Sequence, residues 1–349
     1  MSTAKPRLLE RLPDAARWPA PPPAVETLPT QTAAWTQARA TLLSSRQRPH
    51  WLAVDDDQGI AALAPLVRDG RWLREPPLMF EPSDFAWRSP EALAALARAL
   101  AAQDRPLCLD RVPEQSPTVA ALRQAFAGRG LVRLRPAMST PVIPLDERWA
   151  EPERGFNARR RADFRRYERR AGRRGELNYA LLAPADEAAL RAALAEALAV
   201  EARSWKALAG TALTSDALQG GFFQRFTRAA AAEGMLRIAL LRVGQRPVAM
   251  QIAAQWRQRF WLFKIAHDRD FDDCSPGQLL MRHTVLHAAH AGLQSYELMG
   301  VMDDWTRLWT PQTRRYLRVH ALPLSATTAV VLTRRVARAG VDRLRRLRG

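Results

Sequence analysis

The sequence predicts a mixed α/β fold of the α+β type, divided into two lobes. The chain has 349 residues, which exceeds the usual size of a single domain. Its hydrophobic content of 47% is sufficient for two cores. In both halves, β-branched and aromatic runs alternate with amphipathic runs of helical period. Each lobe is therefore expected to pack helices on a mixed sheet.

The net charge of the chain is strongly positive. Fifty-three Lys and Arg residues against 35 Asp and Glu residues give a formal charge of +18. This charge implies attraction to an anionic partner, which can be nucleic acid, a membrane surface or a phosphate-bearing ligand. Arg and Ala are abundant throughout, so part of the charge reflects overall composition, and charge alone does not select among these partners.

Several classes of site are excluded by the sequence. Cys108 and Cys274 stand far apart and outside any metal-ligand spacing, so neither a disulfide scaffold nor a metal site is expected. No apolar run is long enough to cross a membrane, and the N-terminus lacks the apolar core of a signal peptide. No P-loop, GxGxxG loop or DNA-reading module is present. We expect a cytoplasmic protein with no metal and no specific nucleic-acid partner.

The first lobe is expected over residues 46–150, after a poorly ordered Pro-rich leader and a first helix over residues 1–45. Residues 51–54 and 60–66 have the composition of two strands, and the Asp-Gly cluster at 55–59 predicts a hairpin turn between them.

Two capped helices and three extended segments complete the first lobe. Ser89 and Ser116 each precede a Pro and are expected to cap helices. Short strands are expected at 107–109 and 131–134. Segment 140–145 contains two prolines, which predicts an edge strand at best.

A basic helix is expected over residues 151–175, linking the lobes. It carries ten arginines between Arg154 and Gly175, with Phe164 and Tyr167 on one face. A solvated charged face and a surface for an anionic ligand, lipid or glycan are both compatible with this pattern.

The second lobe is expected over residues 176–325. Helical patterns cover 186–208 and 216–233, and strands are predicted at 236–243 and 247–256. The remaining predicted elements of this lobe are a strand at 177–182, a strand at 294–299, a short helix at 303–309 and a final strand at 316–322. The basic tail over 326–349 fits either a solvated helix, which we favour, or a segment on an anionic membrane.

The central stretch of the second lobe is residues 259–281. Residues 260–266 have strand composition, and an acidic cluster follows at 268–273. Ser275-Pro276-Gly277 then opens a helix, with Ser275 as its N-cap and Pro276 at its first position. Free N–H groups at such a terminus attract phosphate, although a plain strand-to-helix turn has the same pattern.

Four phrases in the second half, taken in order, resemble the CelD-like acyltransferases of the GNAT fold. They are the Arg-rich helix over 160–175, Glu201-Ala-Arg-Ser-Trp-Lys206 with Gly210-Thr211, Gly244-Gln-Arg-Pro-Val-Ala249, and Lys264-Ile-Ala-His-Asp268 followed by Ser275-Pro-Gly-Gln-Leu-Leu280. The resemblance spans about 150–320. Fem-type peptidyltransferases are more distant relatives of this family.

The resemblance implies two tandem GNAT-like lobes, of which the first is degenerate, and acyl-CoA as co-substrate. The CoA pyrophosphate would lie on the main chain that opens the helix. The cofactor-binding residues implied are Ser275, Pro276, Gly277, Gln278, Leu279 and Leu280.

The residues implied for the acceptor include one departure from the family pattern. They are Trp205, Lys206, Trp305, Thr306 and Trp309. Thr306 stands where the family has a lysine that, in the Fem relatives, lies near the reacting carbonyl. Arg307 does not replace a lysine in kind, since guanidinium and ammonium differ in geometry and hydration.

Acyl transfer also needs a general base for the acceptor. The candidates are Glu297, on the strand expected to face the cleft, Asp304, and His267, whose ordinary pKa suits the task. Each also has a structural interpretation, as a strand residue, a helix cap or an ordinary strand end.

The resemblance predicts an acyltransferase of the EC 2.3 class. It would transfer an acetyl or longer acyl group from acyl-CoA to an amine or hydroxyl of a small-molecule or glycan precursor of the cell envelope or of a polysaccharide. Two alternatives remain open: a Fem-like transferase that uses aminoacyl-tRNA, and an inactive GNAT-fold protein that binds an anion on its basic helix. Peripheral contact with the inner face of an anionic membrane is compatible with each.

Overall fold

The structure is a computed structural model that describes residues 5–22, 25–77, 81–204, 216–330 and 333. Within these ranges no helix is long and apolar enough to span a membrane. Cys108 and Cys274 are buried free thiols.

The α-helices follow the predicted order, and several 3-10 turns lie between them. They are α1 Ala33–Arg39, α2 Pro90–Ala101, α3 Pro117–Phe126, α4 Pro152–Gly155, α5 Ala158–Gly172, α6 Glu187–Ala202, α7 Ala217–Ala232, α8 Pro276–His290 and α9 Asp304–Arg307.

The strands are mostly short, and the hairpins β2–β3 and β10–β11 contain the longest ones. They are β1 Lys5–Leu9, β2 Arg48–Asp56, β3 Gly59–Asp69, β4 Trp72–Arg74, β5 Ala86–Trp87, β6 Leu107–Pro113, β7 Gly130–Pro136, β8 Thr140–Pro144, β9 Leu177–Leu182, β10 Leu236–Val243, β11 Arg246–Trp256, β12 Arg259–His267, β13 Ser295–Leu298, β14 Thr313–Arg314 and β15 Tyr316–Pro323.

The chain divides into two compact units, each built on one mixed sheet. Unit 1 comprises residues 1–36, 43–139 and 315–349, and unit 2 comprises 37–42 and 140–314. The sheet of unit 1 has the order β1-β2-β3-β4-β6-β15-β7, with β5 paired to β3. The sheet of unit 2 has the order β14-β8-β13-β12-β11-β10-β9. The predicted α/β class with mixed sheets is confirmed.

The structure places two strands differently from the expectation. Strand β15 was expected in the second lobe, but it lies between β6 and β7 in the sheet of unit 1. Strand β8 was expected at an edge, but it lies between β13 and the two-residue β14, and Pro141 and Pro144 sit near its two ends. Strand composition reports on burial and not on the partner strand, so pairing across a long separation is decided only by the folded chain.

In unit 1, helices α2 and α3 pack against the sheet. Ser89 Oγ and Ser116 Oγ accept hydrogen bonds from Ala92 N (3.2 Å) and Thr118 N (3.0 Å), as the Ser-Pro pattern predicts. The core cluster contains Leu93, Leu96, Leu100 and Leu122 together with residues of β2, β3, β6 and β15.

A buried carboxylate lies under the first turn of α3. Asp84 accepts hydrogen bonds from Ser116 Oγ, Thr118 Oγ1 (both 2.5 Å) and Phe85 N (2.8 Å). Burial disfavours its charged form more than these bonds support it, and the pKa of Asp84 is raised to about 6.

The pKa of Asp84 predicts a pH-dependent stability. A carboxyl whose folded pKa exceeds its unfolded value binds its proton more tightly in the folded state. The free energy of unfolding should therefore fall by roughly 3 kcal/mol as the pH rises from about 4 to above 6, at 1.4 kcal/mol per pKa unit. Urea unfolding of the wild type and of Asp84→Asn across this range checks it. Identical pH profiles for the two proteins would refute the assignment.

In unit 2 the helices cover both faces of the sheet. Residues of α5 and α8 form one core cluster with alternate residues of β10, among them Ala239 and Leu241. The intervening residues Ile238 and Leu240 are also fully buried, and α6 and α7 pack on β10 from that side. Helix α5 was expected to link two lobes, but it belongs to unit 2, where Phe164 and Ala171 are buried.

Candidate functional site

Two neighbouring strands separate in the middle of the unit 2 sheet. Strands β12 and β13 are parallel and pair from Arg259 with Ser295 to Leu262 with Leu298. Beyond Leu262, β12 continues to His267 in register with β11, while the chain after Leu298 leaves the sheet. The edge of β12 from residue 263 to 267 is therefore released from its parallel partner β13.

A β-bulge marks the point of separation. Ile252 pairs with Lys264, and Ala253 pairs with Leu262, so Phe263 is an extra residue in β12. A bulge bends a strand and increases its twist, and bulges are common next to active sites. The released edge thus begins at a local distortion of the sheet.

The released edge leads to the N-terminus of α8. Ser275 has a left-handed conformation, with φ of 43°, which is strained for a residue other than Gly. Its side chain makes no capping bond, so Ser275 is the N-cap by position only. The sequence pattern predicted the start of this helix correctly but not the capping hydrogen bond.

Most main-chain donors at this terminus are already used. Ser275 N donates to Asp272 O (3.1 Å), and the N–H groups of Gln278 and Leu279 both donate to Ser275 O (3.0 and 3.3 Å). Pro276 has no N–H. Among the described residues, the Gly277 N–H is the one donor of residues 275–279 without an acceptor. The expectation of several free donors is thus met at Gly277 alone.

Gly277 leaves open space beside this donor. A Cβ added to Gly277 would meet one neighbour within 4 Å, His267 Nδ1 at 3.6 Å, which is an ordinary contact. The fold therefore does not require glycine here, although glycine costs a helix about 1 kcal/mol relative to alanine. A ligand that approaches the main chain closely would require it. This observation fits a bound phosphate.

His267 lies beside Gly277 at the N-terminus of α8. Its Nε2 lies 2.9 Å from Asp272 Oδ1, which orients the ring, and its Nδ1 is directed toward Gly277. The structure thus brings His267 together with the Ser-Pro-Gly turn and places it at the end of the released edge.

The acidic stretch before α8 is neutralised by basic partners. Asp268 is buried and pairs with Arg203 (2.6 Å) and Arg246 (2.7 Å). Burial opposes its ionisation, but the two guanidinium groups outweigh that effect and lower the pKa of Asp268. Asp270 pairs with Arg246, and Asp273 with Arg174. These ion pairs therefore offset the negative charge of Asp268, Asp270 and Asp273 ahead of Gly277.

The basic helix α5 lies along this acidic stretch. Arg170 and Arg174 donate hydrogen bonds to the main-chain oxygens of Asp273 (3.0 Å) and Asp270 (2.6 Å). The guanidinium of Arg174 also lies over Phe271. Helix α5 therefore supports the segment that leads into α8 and brings positive charge to it.

Glu297 lies in a different network, in which its own side chain is fully buried. It accepts hydrogen bonds from Arg314 Nε (3.0 Å), Arg314 Nη2 (2.5 Å) and Ser295 Oγ (2.7 Å), and Arg259 Nη1 is 3.7 Å away. Its side chain has 0% exposure. This geometry favours a structural ion pair, and the predicted role of Glu297 as general base remains a prediction.

The other predicted residues near α9 are divided between surface and core. Asp304 is fully exposed and pairs with Arg307 (3.0 Å). Thr306 is buried and forms a reciprocal capping box with Asp303. At the position where the resemblance predicts a lysine, Thr306 thus contributes to a helix cap. Trp305 packs against the unit 2 core, and Trp309 is buried in it. Trp205 and Lys206 lie outside the described residues.

Trp309 connects α8 with an aromatic cluster. Its Nε1 donates to Gln278 Oε1 (3.0 Å) in the first turn of α8. Its ring stacks on Trp149 and meets Phe156 and Phe164 edge-on. Hydrophobic spacing predicted the apolar face of α5 but not its partners.

The structure contains a buried ion pair on the released edge that the sequence did not predict. Lys264 Nζ lies 3.9 Å from Glu201 Oε1 and 5.2 Å from the ring of Phe223, and both charged side chains are at least nine-tenths buried. Glu201 and Lys264 each lie in a phrase that carries the resemblance, but the sequence contains no signal that pairs them across 63 positions.

No group of residues suited to holding a metal ion occurs in the described part of the chain. No curated protein is significantly similar to the chain. Residues 158–307 match the family model described as acetyltransferase (GNAT) domain.

Solved structures of low sequence identity share the fold. FemX superposes with a TM-score of 0.54 at 13% identity, covering 85% of this chain and 92% of FemX. The DUF2156 C-terminal domain assigned to a lysylphosphatidylglycerol synthetase of Agrobacterium fabrum superposes with a TM-score of 0.53 at 11% identity, covering 84% and 90%. A conserved protein of unknown function from Bacteroides thetaiotaomicron superposes with a TM-score of 0.54 at 13% identity, covering 83% of this chain and 89% of that protein. Residues 158–307 are therefore similar to a GNAT acetyltransferase domain, and the chain shares the fold of these solved structures along most of their length.

Proposed function

We propose that unit 2 transfers an acyl group from acyl-CoA to an amine or hydroxyl acceptor. The observation that carries this proposal is the open space at Gly277, next to an unused N–H at the positive end of α8. The match to the GNAT acetyltransferase domain supports the same reaction class.

In this proposal the donor lies between the released edge of β12 and the first turn of α8. Its pyrophosphate would be held by the Gly277 N–H and the Ser275 hydroxyl, with Pro276 and residues 278–280 forming the helix behind them. A main-chain N–H near the C-terminal end of β12 would polarise the thioester carbonyl, because a fixed donor stabilises the oxyanion that develops there.

Proton transfer is assigned to the side chains around the released edge. The acceptor must lose a proton as it attacks, and the departing thiolate must gain one. Of the three predicted bases, His267 lies on the released edge, Asp304 is open to solvent and Glu297 is enclosed. His267 is therefore the preferred candidate for the general base. We assign Lys264 the positive charge near the carbonyl that Thr306 does not supply.

The acceptor class remains the one that the sequence motifs suggest, a glycan or another cell-envelope precursor. An aminoacyl-tRNA donor is the second candidate, because the arginines at 159, 165, 169 and 173 are exposed on α5, the helix that supports the entry to α8.

A thermal-shift series separates these donors. Acetyl-CoA, a long-chain acyl-CoA, CoA alone and tRNA are each added to the whole chain at low and moderate salt. A ligand present at 100 times its Kd adds about 2.7 kcal/mol to the unfolding free energy, which is several degrees in Tm. We expect stabilisation by the CoA compounds that persists at moderate salt.

The other outcomes are equally informative. Absence of stabilisation by every CoA compound would refute the acyl-CoA proposal. Stabilisation by tRNA that disappears at moderate salt would identify charge-driven contact, whereas salt-resistant stabilisation by tRNA alone would support the second candidate. Binding of acyl-CoA without release of free CoA thiol in the presence of any amine or hydroxyl acceptor would support the inactive GNAT-fold alternative.

A further inference from the structure

Arg160 occupies an unusual position in the first turn of α5. Its guanidinium carbon lies 4.0 Å from the ring centroid of Phe156 and 4.4 Å from that of Trp309, with Phe164 at 5.6 Å. Aromatic faces attract a guanidinium through their negative quadrupole, most strongly where water is excluded. Arg160 is thus a cation held in an aromatic box of Phe156, Phe164 and Trp309.

The charge of Arg160 is not balanced by a carboxylate. Within the described ranges its side chain makes no ion pair, and its buried Nη2 has no hydrogen-bond partner. Arg282, which also lies over Phe164, pairs with both Glu153 (3.0 Å) and Glu168, so these two acids are already engaged. Burial lowers the pKa of Arg160 to about 10. A desolvated donor without an acceptor is costly, and an incoming anion would remove that cost.

The other arginines of α5 with inward contacts are satisfied differently. Arg166 pairs with Asp163 (2.8 Å), and Arg170 donates to a main-chain oxygen, as does Arg174 just beyond the end of the helix. Arg161 donates to the main-chain oxygen of Phe156. Arg160 therefore differs from its neighbours in having aromatic support and no acceptor.

The aromatic box connects Arg160 to the N-terminus of α8. Trp309, which lies under the guanidinium, donates Nε1–H to Gln278, the residue after Gly277. The cation is therefore one side chain away from the first turn that carries the unused Gly277 N–H. Arg160 is only half-buried, so a ligand can still reach it.

We propose that Arg160 is an anion-binding residue that binds a phosphate group of the ligand held at the start of α8. This inference rests on the proposed acyl-CoA site and names a side chain that completes it. A guanidinium can offer two parallel N–H groups to phosphate oxygens, and such charge-assisted bonds are about twice as strong as neutral ones. The aromatic box holds the guanidinium in one orientation before the ligand arrives.

The test measures binding of inorganic pyrophosphate and of CoA by calorimetry to the whole chain. Arg160→Met keeps the length of the stem in the box and removes the charge. Its matched control is Arg159→Met, which removes the same charge from the exposed neighbour on the same helix. We expect Arg160→Met to weaken pyrophosphate binding about 10-fold or more and Arg159→Met to weaken it less than about 2-fold. Arg160→Lys should recover only part of the loss, because an ammonium lacks the paired donors.

Each result separates this inference from the proposed function. Unchanged pyrophosphate affinity in Arg160→Met, or no pyrophosphate binding by the wild type, would overturn the inference. A lower Tm in Arg160→Met with unchanged pyrophosphate affinity would assign Arg160 to packing alone, which also overturns it. Arg160-dependent binding of pyrophosphate by a chain that does not bind CoA would uphold the inference and refute the acyl-CoA proposal.

Discussion

Gly277→Val should abolish acyl-CoA binding and turnover while the protein remains folded. The added side chain would occupy the space beside the Gly277 N–H and exclude a phosphate from it. Gly277→Ala should raise the stability of the protein and lower its affinity for CoA. Its Cβ makes an ordinary contact with His267, so the free energy of unfolding should rise by up to about 1 kcal/mol. Affinity for CoA should nevertheless fall about 10-fold or more, since a ligand bound to the main chain has no room for the methyl group.

Gly221 in α7 provides the matched control for Gly277. It is also a helical glycine, and a Cβ added there would meet nothing within 4 Å. Gly221→Ala should raise stability in the same way and leave CoA affinity unchanged. Calorimetric titration with CoA and urea unfolding of the variants measure both quantities. Retention of wild-type CoA affinity in Gly277→Val would show that the donor lies elsewhere.

Glu297→Ala should reduce the free energy of unfolding of the protein by about 3–5 kcal/mol. The variant removes the buried carboxylate that pairs with Arg314 and lies near Arg259, and breaking a buried ion pair by removing one partner is strongly destabilising. The matched control is Glu187→Ala. Glu187 and Arg228 form a similar two-bond pair (2.7 and 3.0 Å), but both side chains are exposed. Loss of an exposed pair should cost far less than loss of the buried one, because solvent screens the exposed charges.

A third variant, Glu297→Gln, tests whether Glu297 is the general base. Urea unfolding gives the stabilities, and initial rates with acetyl-CoA are compared between Glu297→Gln and the wild type below the unfolding transition. A structural ion pair predicts a large loss of stability and retained turnover in the remaining folded protein. Lost turnover in a stably folded Glu297→Gln variant would support the base, and similar losses of stability in both Ala variants would contradict the effect of burial.

Local structure was largely predictable from the sequence. The Ser-Pro pairs at Ser89, Ser116 and Ser275 predicted helix starts correctly, because Ser at the N-cap and Pro at the next position suit the first turn. The Asp-Gly turn at residues 55–59 predicted the β2–β3 hairpin. These features depend on residues close together in the chain, so the sequence displays them directly.

The candidate site was predictable in part. The Ser-Pro-Gly turn and His267 were named from the sequence, and the structure brings them into one place. Arg160 and the pair Lys264–Glu201 were not named, because their surroundings come from segments that are distant in the chain. Thr306 was recognised as a departure from the family pattern, but only its hydrogen bonds show that it caps a helix.

The sequence by itself determined the helices, the hairpins, the basic face of α5 and the turn that opens α8. The tertiary structure decided that β15 completes the sheet of unit 1, that β12 separates from β13 after Leu262, and that the charge of Arg160 has aromatic support without a carboxylate. The physical reason is the range of the interactions. Propensity and capping act within one or two turns, whereas strand pairing, burial and the satisfaction of buried charge depend on which distant segments meet.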